Sequence, residues 1–231
     1  MSQDDHVVAR TAEEVEAWYR TTETIPWDVP VPQPALVELE RRGEITGAVL
    51  DAGCGLGQNS LFLAERGYRV TGTDLSVWAI ERCGEKARER NLDIDFRVAD
   101  ATSLQGMSGP FETVVDSALL HCLDKPRREA YLEAVHRVCA PGALMHVLCF
   151  SDAMPAGIPV PDRLSEADVR KAFADGWKIS RLEHDLYTTV FTTADLRQHI
   201  SDPGWEPSAP FGLDADERIT MPVWRVTAER V

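Results

Sequence analysis

The chain has 231 residues and a formal net charge of −14, from 24 basic and 38 acidic residues. This length fits one α/β domain that buries about 70% of the surface of its unfolded chain. Because nucleic-acid binding requires basic residues that displace counterions from phosphates, the charge argues against an RNA or DNA substrate. It also argues against an anionic membrane surface. Small neutral or cationic molecules are the partners that this charge favours.

The start of the chain has neither a basic region nor an apolar stretch, so no signal peptide is predicted. The longest apolar run, residues 143–150, is too short to cross a bilayer. Five cysteines without a C-x-x-C pair are typical of buried thiols in a reducing compartment. We therefore expect a cytoplasmic protein with no membrane association and no structural metal. The sequence leaves the oligomeric state open.

Residues 1–43 are predicted to precede the main sheet as a separate cap. Thr11 can begin a helix, and four prolines between residues 26 and 34 then exclude regular structure. Two interpretations of Trp18 and Trp27 stay open. Both rings could be hydrophobic plugs, or they could face a cationic ligand and gain on the order of 1–2 kcal/mol of cation–π energy.

The centre of the sequence is an apolar run that ends at Asp51 and leads into a glycine-rich turn and a helix start. Three glycines alternate with other residues in this turn: Gly53, Gly55 and Gly57. Glycine permits a positive φ and a close approach of the backbone to a ligand. The spacing is not that of a dinucleotide loop, because Gln58 occupies the position of its third glycine.

The carboxylate directly before this turn indicates the ligand. A pyrophosphate would be repelled by Asp51, whereas a ligand with a positive centre would be attracted. S-adenosylmethionine (SAM), with its ammonium and sulfonium groups, is such a ligand. Asp74 ends the next predicted strand, where it can accept hydrogen bonds from ribose hydroxyls. Any adenosine ligand would use Asp74, so it does not separate SAM from NAD.

Two further strand exits are candidate ligand sites. An alternating strand over residues 94–100 ends at Asp100, which can accept the adenine N6 hydrogen while the Ala101 amide supports the ring. Alternatively, Asp100 caps the following turn. The strand that starts at residue 111 leads to Ser117 and His121, and ligands of open α/β sheets lie at such exits. His121 is either a general base or a packing residue, since methyl transfer often needs only alignment.

The C-terminal part is predicted to complete the sheet. Pro141-Gly142 is expected to turn the chain into a strand over residues 143–150, and further strands are expected over 178–191 and 219–226. The last strand is expected to be antiparallel at the sheet edge. Residues 192–216, with Trp205 and Phe211, are either a substrate lid or simply packing.

Four segments together resemble the successive motifs of class I SAM-dependent methyltransferases: residues 51–57, 74–76, 98–101 and 141–144. The N-terminal segment is similar to the cap of thiopurine and halide/thiol methyltransferases. It also resembles small bacterial enzymes that methylate heterocyclic toxins and quinone- or phenol-like compounds. Asp152 is followed by Ala153, whereas metal-dependent catechol methyltransferases have an Asp-Asn pair, so no catalytic metal is expected.

The resemblance implies a doubly wound, mostly parallel, seven-stranded Rossmann-like α/β fold with an N-terminal cap. It implies one domain over residues 1–231, divided into a cap (1–43), a SAM-binding core (44–150) and a C-terminal completion (151–231) that contains the 192–216 lid. The implied cofactor-binding residues are Trp27, Asp51, Gly53, Cys54, Gly55, Gly57, Asn59, Asp74, Leu75, Asp100, Ala101 and Ser117. The implied substrate pocket consists of Trp18, Trp27, His121, Trp205 and Phe211.

The predicted function is transfer of a methyl group from SAM to N, O or S of a small molecule, with S-adenosyl-L-homocysteine (SAH) as the product. Halide/thiol methyl transfer is the alternative within this class. Two rivals come from other classes. A non-catalytic SAM-binding module would never form SAH, and an NAD-dependent oxidoreductase would need a pyrophosphate loop that Asp51 and Gln58 disfavour. The sequence does not identify the substrate.

Overall fold

The structure is a computed structural model, and it describes residues 11–155, 158, 160–195 and 211–231. Six α-helices lie in this part of the chain: α1 (Ala12–Thr21), α2 (Pro34–Arg41), α3 (Gln58–Glu65), α4 (Val77–Glu89), α5 (Lys125–Val138) and α6 (Glu166–Ala172). The strands are β1 (Ala48–Ala52), β2 (Arg69–Asp74), β3 (Asp95–Val98), β4 (Phe111–Ser117), β5 (Cys139–Phe150), β6 (Trp177–Thr192), β7 (Gly212–Leu213) and β8 (Arg218–Arg230).

The strands form one sheet in the order β3-β2-β1-β4-β5-β8-β6. Neighbours from β3 to β5 are parallel, whereas β8 is antiparallel to both β5 and β6. The last strand is therefore antiparallel, as expected, but the prediction that it lies at the sheet edge is wrong, because it pairs on both sides and β6 forms the edge. The predicted doubly wound, mostly parallel α/β sheet is confirmed. The two-residue strand β7 is an addition, which pairs with β8 beside the main path.

The helix start expected at Thr11 is confirmed, and two further helices begin with side-chain caps of the same kind. Thr11 and Glu14 form a capping box at α1, and the Ser76 hydroxyl accepts from the Ala79 amide at α4. Ser165 and Asp168 form a second capping box at α6. These side chains satisfy backbone amides that the first helical turn leaves without partners.

One boundary prediction is wrong. Pro141-Gly142 does not turn the chain into β5, because β5 already begins at Cys139. Its pairing with β4 shifts between Phe111 and Thr113, so that several residues of β5 lie opposite two of β4. Gly142 has φ +77° within this irregularity. A bulge therefore absorbs the Pro-Gly pair inside the strand instead of ending it.

The parallel strands end at one edge of the sheet, and this edge carries the polar residues singled out above. All five residues of β1 are buried, as expected for a central parallel strand covered on both faces. In register, Asp51 of β1 lies between Gly72 of β2 and Val115 of β4. The side chains at the ends of β1, β2 and β4 are therefore neighbours in space.

Two smaller clusters lie near this edge. The cap cluster joins α1 to the glycine turn and α4, and its buried members are Tyr19, Ile25, Leu56 and Ala79. The β6 cluster joins α2, the end of β5 and strands β6 and β8, and its buried members are Ala35, Leu148, Met154, Ile158, Tyr187, Phe191, Ile219, Met221 and Val223. Among the described residues, no helix is long and apolar enough to cross a membrane.

Candidate functional site

The glycine turn between β1 and α3 has the backbone that its spacing predicts. Gly53, Gly55 and Gly57 have φ values of +68°, +55° and +79°. Gly57 precedes α3, and a Cβ there would lie 2.9 Å from Cys83 Sγ. A Cβ on Gly55 would lie 3.2 Å from Trp27 Nε1 and 3.3 Å from the Tyr19 hydroxyl. Glycine is therefore required both by conformation and by space.

Two acids flank the turn, of which Asp51 is buried and Asp74 half-buried. Asp51 is 1% exposed and accepts a 2.6 Å hydrogen bond from Ser60 Oγ. Asp74 accepts hydrogen bonds from the amides of Gly55 (3.0 Å) and Ser76 (2.9 Å). Burial raises the pKa of each carboxyl to about 6. Asp74 thus holds the glycine turn against the start of α4.

Asp116 is a third acid, at the same strand exit as Ser117, where ligands of open α/β sheets are expected. It is buried near the end of β4, where Oδ2 accepts from the Tyr131 hydroxyl (3.0 Å) and Oδ1 from the Leu119 amide (2.8 Å). Burial raises its pKa to about 7, and Asp51 contributes to the rise. Three poorly hydrated carboxyl groups, two on buried residues and one on the half-buried Asp74, lie on the adjacent strands β2, β1 and β4 and make this edge favourable for a cation.

Aromatic rings of the cap cover the turn. Trp18 and Trp27 stack with ring centroids 4.8 Å apart, and Trp27 Nε1 donates to the Tyr19 hydroxyl at 3.3 Å. The Tyr19 ring also lies 6.1 Å from that of Trp78 on α4. Tyr19 was missed as a site residue. Its helical spacing indicated only a buried position, which a core residue would share.

Glu16 explains how the cap is held there. Its Oε2 accepts from Ser76 Oγ (2.6 Å) and from the Trp78 amide (3.1 Å). The hydrogen bond from Ser76 lowers the pKa of Glu16 despite partial burial. A carboxylate from α1 therefore caps the N-terminus of α4, where it also interacts favourably with the helix dipole.

The other predicted cofactor residues lie around the turn and differ in their burial and hydrogen bonds. Asn59 Oδ1 accepts from the Gln33 amide at 3.4 Å, and the Cys54 amide donates to the Thr73 carbonyl at 2.8 Å. Leu75 and Ala101 are half-buried. Together with the acids, the positive-φ glycines and the aromatic cover, this set of groups fits a ligand with an adenosine part and cationic centres.

Asp100 performs the local role that was one of its two alternatives. Its Oδ1 accepts from the Thr102 amide (2.9 Å) and from the Thr102 hydroxyl (2.7 Å). The carboxylate therefore caps the turn after β3, as Asp often does. The adenine contact stays a prediction.

His121 has the geometry of a packing residue. It is 2% exposed, its ring stacks on Phe150 at 4.0 Å, and its Nδ1 accepts the Phe150 amide at 3.2 Å. Burial lowers the pKa of the imidazole to about 3, with a further contribution from Arg128. The ring is neutral and the lone pair of Nδ1 is already used, so this arrangement does not support the interpretation as a base.

Ser117 and Tyr187 bring two hydroxyl groups to the end of β4. Ser117 Oγ is buried and forms no hydrogen bond in the described part of the chain. The buried Tyr187 side chain lies close to Ser117, and burial raises the pKa of this phenol despite the opposing effect of Ser117. The Tyr187 ring packs edge-on against Phe150, with centroids 6.5 Å apart. Tyr187 was missed because a strand pattern gives no hint of which neighbour its hydroxyl meets.

The predicted substrate residues divide between two places. Trp18 and Trp27 lie on the glycine turn, whereas Phe211 packs against the β6 cluster. Trp205 and most of the predicted 192–216 lid lie outside the described residues. In the ranges that the structure describes, no three His, Cys, Asp or Glu side chains are grouped to hold a metal ion.

Known proteins show the same sequence features. The family described as "Methyltransferase domain" matches residues 49–142. The 2-heptyl-1-hydroxyquinolin-4(1H)-one methyltransferase of Mycobacteroides abscessus is 34% identical over 207 residues, which are 89% of this chain and 88% of that protein. A ubiquinone biosynthesis O-methyltransferase of a Caulobacter species is 31% identical over 71% of this chain and 62% of its own length.

Solved structures agree. One concerns "conversion of a disulfide bond into a thioacetal group during echinomycin biosynthesis", is 36% identical, has a TM-score of 0.78 and covers 95% of this chain and 93% of its own. An Anabaena variabilis SAM-dependent methyltransferase, 14% identical, shares the fold with a TM-score of 0.73 over 100% of this chain and 99% of its own. The chain belongs to the class I SAM-dependent methyltransferases and is an enzyme that methylates a small molecule.

Proposed function

We propose that the chain methylates the hydroxyl oxygen of an apolar N-hydroxyquinolone-like heterocycle. The observation that carries this proposal is the 34% identity, along nearly the whole of both chains, to an enzyme named for 2-heptyl-1-hydroxyquinolin-4(1H)-one. Such a molecule combines a flat ring system, one reactive oxygen and an alkyl chain. The acceptor site must therefore be apolar, with a few hydrogen-bond donors beside the reactive atom.

The β6 cluster supports this assignment. The cluster is a buried hydrophobic surface, and its members include two methionines and two aromatic residues: Met154, Met221, Tyr187 and Phe191. Methionine adapts its shape to irregular apolar ligands. The Ser117 and Tyr187 hydroxyls lie at the end of β4 beside this cluster and can donate to the acceptor oxygen. A charge on the ring substituent that enters the cluster would be disfavoured by burial, whereas a single oxyanion beside the two hydroxyls could be hydrogen-bonded.

The proposed cofactor contacts follow the row of acids. SAM supplies a methyl group activated by a sulfonium. Asp51 would attract the ammonium group, and Asp74 would accept hydrogen bonds from the ribose hydroxyls. Asp100 and Ala101 would contact the adenine. The glycine turn, Cys54, Leu75 and Asn59 would support the ligand, with Trp27 and Tyr19 covering it. By shielding the turn from water, the two rings would strengthen the attraction between the carboxylates and the cation.

Catalysis in this proposal rests on alignment. An acceptor that reaches the site as its oxyanion needs no base, which agrees with the engaged Nδ1 of His121. Attack of the anion on the methyl group forms a neutral ether and leaves a neutral thioether, so charge is lost as the bond forms. Exclusion of water and correct orientation promote such a step.

A sulfur acceptor is a second candidate. It is favoured by the 36% identity and the TM-score of 0.78 to the structure concerned with a disulfide and a thioacetal in echinomycin biosynthesis. A sulfur nucleophile would also need no base.

The proposal is tested with methyl-labelled SAM and three acceptors: 2-heptyl-1-hydroxyquinolin-4(1H)-one, its analogue without the N-hydroxyl, and a cyclic disulfide peptide. We expect label on the N-hydroxy compound alone. We also expect Tyr187→Phe to raise its KM about threefold to tenfold, through loss of one hydrogen bond. The control Tyr68→Phe, at a half-buried tyrosine directly before β2, should leave it unchanged. Label on the peptide alone would establish the sulfur candidate instead.

The compartment is proposed to be the cytoplasm. All five cysteines are free thiols, and two of them, Cys54 and Cys122, are partly exposed. Free thiols persist in a reducing compartment.

A further inference from the structure

The segment over residues 25–33, here called the strap, connects α1 to α2 and touches both halves of the site. Near its start, Trp27 lies against Gly55 of the cofactor turn. The Pro26 carbonyl accepts a 2.8 Å hydrogen bond from the Val190 amide, which belongs to β6. The strap is therefore a shared wall of the cofactor turn and the strand that carries Tyr187.

Gln33 makes the most specific contact of the strap. Its side chain is 4% exposed and pairs with the backbone of Thr188: Oε1 accepts from the Thr188 amide at 2.9 Å, and Nε2 donates to the Thr188 carbonyl at 2.8 Å. On its other side, Thr188 pairs with Thr220 of β8. The side-chain carboxamide of Gln33 thus makes the two hydrogen bonds that a neighbouring strand would make at this edge of the sheet.

The backbone of Gln33 extends this connection to the cofactor turn. The backbone N–H of Gln33 donates to Asn59 Oδ1 at 3.4 Å. Asn59 lies in the first turn of α3, which follows the glycine turn. Thr188 is the neighbour of Tyr187, a member of the β6 cluster. A continuous series of contacts therefore runs from the cofactor turn through Gln33 to the acceptor wall.

We propose that Gln33 is a positioning residue that couples cofactor binding to the shape of the acceptor site. A ligand on the glycine turn that orders Trp27 and Asn59 would also order the strap. Through its paired hydrogen bonds, Gln33 then fixes the part of β6 that presents Tyr187. The acceptor accordingly binds more tightly once the cofactor is in place. This inference rests on the proposed function for the identity of the acceptor wall.

The fold offers a way to remove this contact without releasing α2. Glu38 of α2 binds Arg225 of β8 at 2.9 Å, and Leu36 and Leu39 are buried against the sheet. Gln33→Met keeps the length of the side chain and removes both hydrogen bonds to Thr188. Val31→Ala is the matched control, because Val31 lies in the same strap and is 45% exposed.

The first measurement is amide hydrogen exchange with and without SAH, which needs no acceptor. In the wild type and in Val31→Ala, SAH is expected to slow exchange both in residues 51–60 and in residues 186–192. In Gln33→Met, SAH is expected to slow exchange in residues 51–60 alone. The proposal is overturned if SAH leaves residues 186–192 unchanged in the wild type, or slows them equally in Gln33→Met.

The second measurement is the Kd of 2-heptyl-1-hydroxyquinolin-4(1H)-one with and without saturating SAH. We expect SAH to tighten binding about tenfold in the wild type, and the ratio to fall to about one in Gln33→Met. A purely structural role would weaken both Kd values and keep their ratio, which would refute the coupling. If the wild type binds no acceptor in either state, the proposed substrate is wrong, and the exchange measurement alone decides the role of Gln33.

Discussion

The two halves of the sheet differ in the polarity of the side chains that they bring to the site. In the parallel half, the ends of β2, β1 and β4 carry the acids Asp74, Asp51 and Asp116. Asp51 and Asp116 are 1% exposed, and burial raises the pKa of all three carboxyls. In the antiparallel half, the β6 cluster is a buried hydrophobic surface, and the buried Arg225 of β8 is paired with Glu38 and Glu183. One half is arranged for a cation and the other for an apolar molecule.

This difference separates what the family shares from what is particular to the chain. The motifs of the parallel half match a general methyltransferase domain over residues 49–142. The strap, β6 and β8 lie outside that range, and there similarity extends to relatives that cover nearly the whole chain. We therefore expect the parallel half to decide which cofactor binds and the antiparallel half to decide which substrate is chosen.

The largest effect is expected from closing the cofactor turn. Gly55→Val forces a branched side chain onto φ +55° and against Trp27 and Tyr19. We expect SAM affinity to fall about a hundredfold or more, measured by calorimetry. Gly67→Ala is the matched control, since Gly67 has φ +87° but no atom within 4 Å of an added Cβ. Equal losses in both variants would mean that backbone strain, and not the site, is responsible.

An intermediate effect is expected from pH. Since the pKa values of Asp51 and Asp74 are about 6 without cofactor, both acids become protonated as the pH falls through 6. A cation binds the ionised forms, so SAM affinity should drop at least tenfold between pH 7 and pH 5. Stability of the free protein should change in the opposite direction and decrease as the pH rises from about 4 to about 7, because the folded state binds more protons than the unfolded chain.

Asp74→Asn is the control for this pH dependence. It keeps a side-chain oxygen for the Gly55 and Ser76 amides but cannot ionise, so affinity should be lower and its dependence on pH shallower. A profile as steep as that of the wild type would show that the titrating group lies elsewhere.

The smallest effect is expected at His121, on the border of the two halves. In His121→Asn, the side-chain oxygen can still accept the Phe150 amide that Nδ1 now accepts. We expect kcat to change less than threefold and the unfolding free energy to fall by about 1–2 kcal/mol, through lost packing against Phe150. A loss of kcat of a hundredfold or more, restored by raising the pH, would establish His121 as the base after all.

Local features made the cofactor half predictable. The glycine spacing, the acids at Asp51 and Asp74 and the caps at Thr11, Ser76 and Ser165 each depend on residues a few positions apart, because turns and helix ends are short-range structures. Pro141-Gly142 shows the limit of such reasoning. The pair was expected to form a turn, but pairing with a neighbouring strand absorbed it in a bulge.

The sequence by itself determined the cofactor turn, its acids and the order of strands and helices, since each of these follows from the chemistry of neighbouring residues. Only the tertiary structure decided which distant groups meet. It brought Tyr19 to Gly55, paired Gln33 with Thr188 across 155 positions, set Asp116 beside Asp51 and engaged Nδ1 of His121 with Phe150. The physical reason is that burial and hydrogen bonding depend on what the whole fold packs together, whereas spacing along the chain reports only the local backbone.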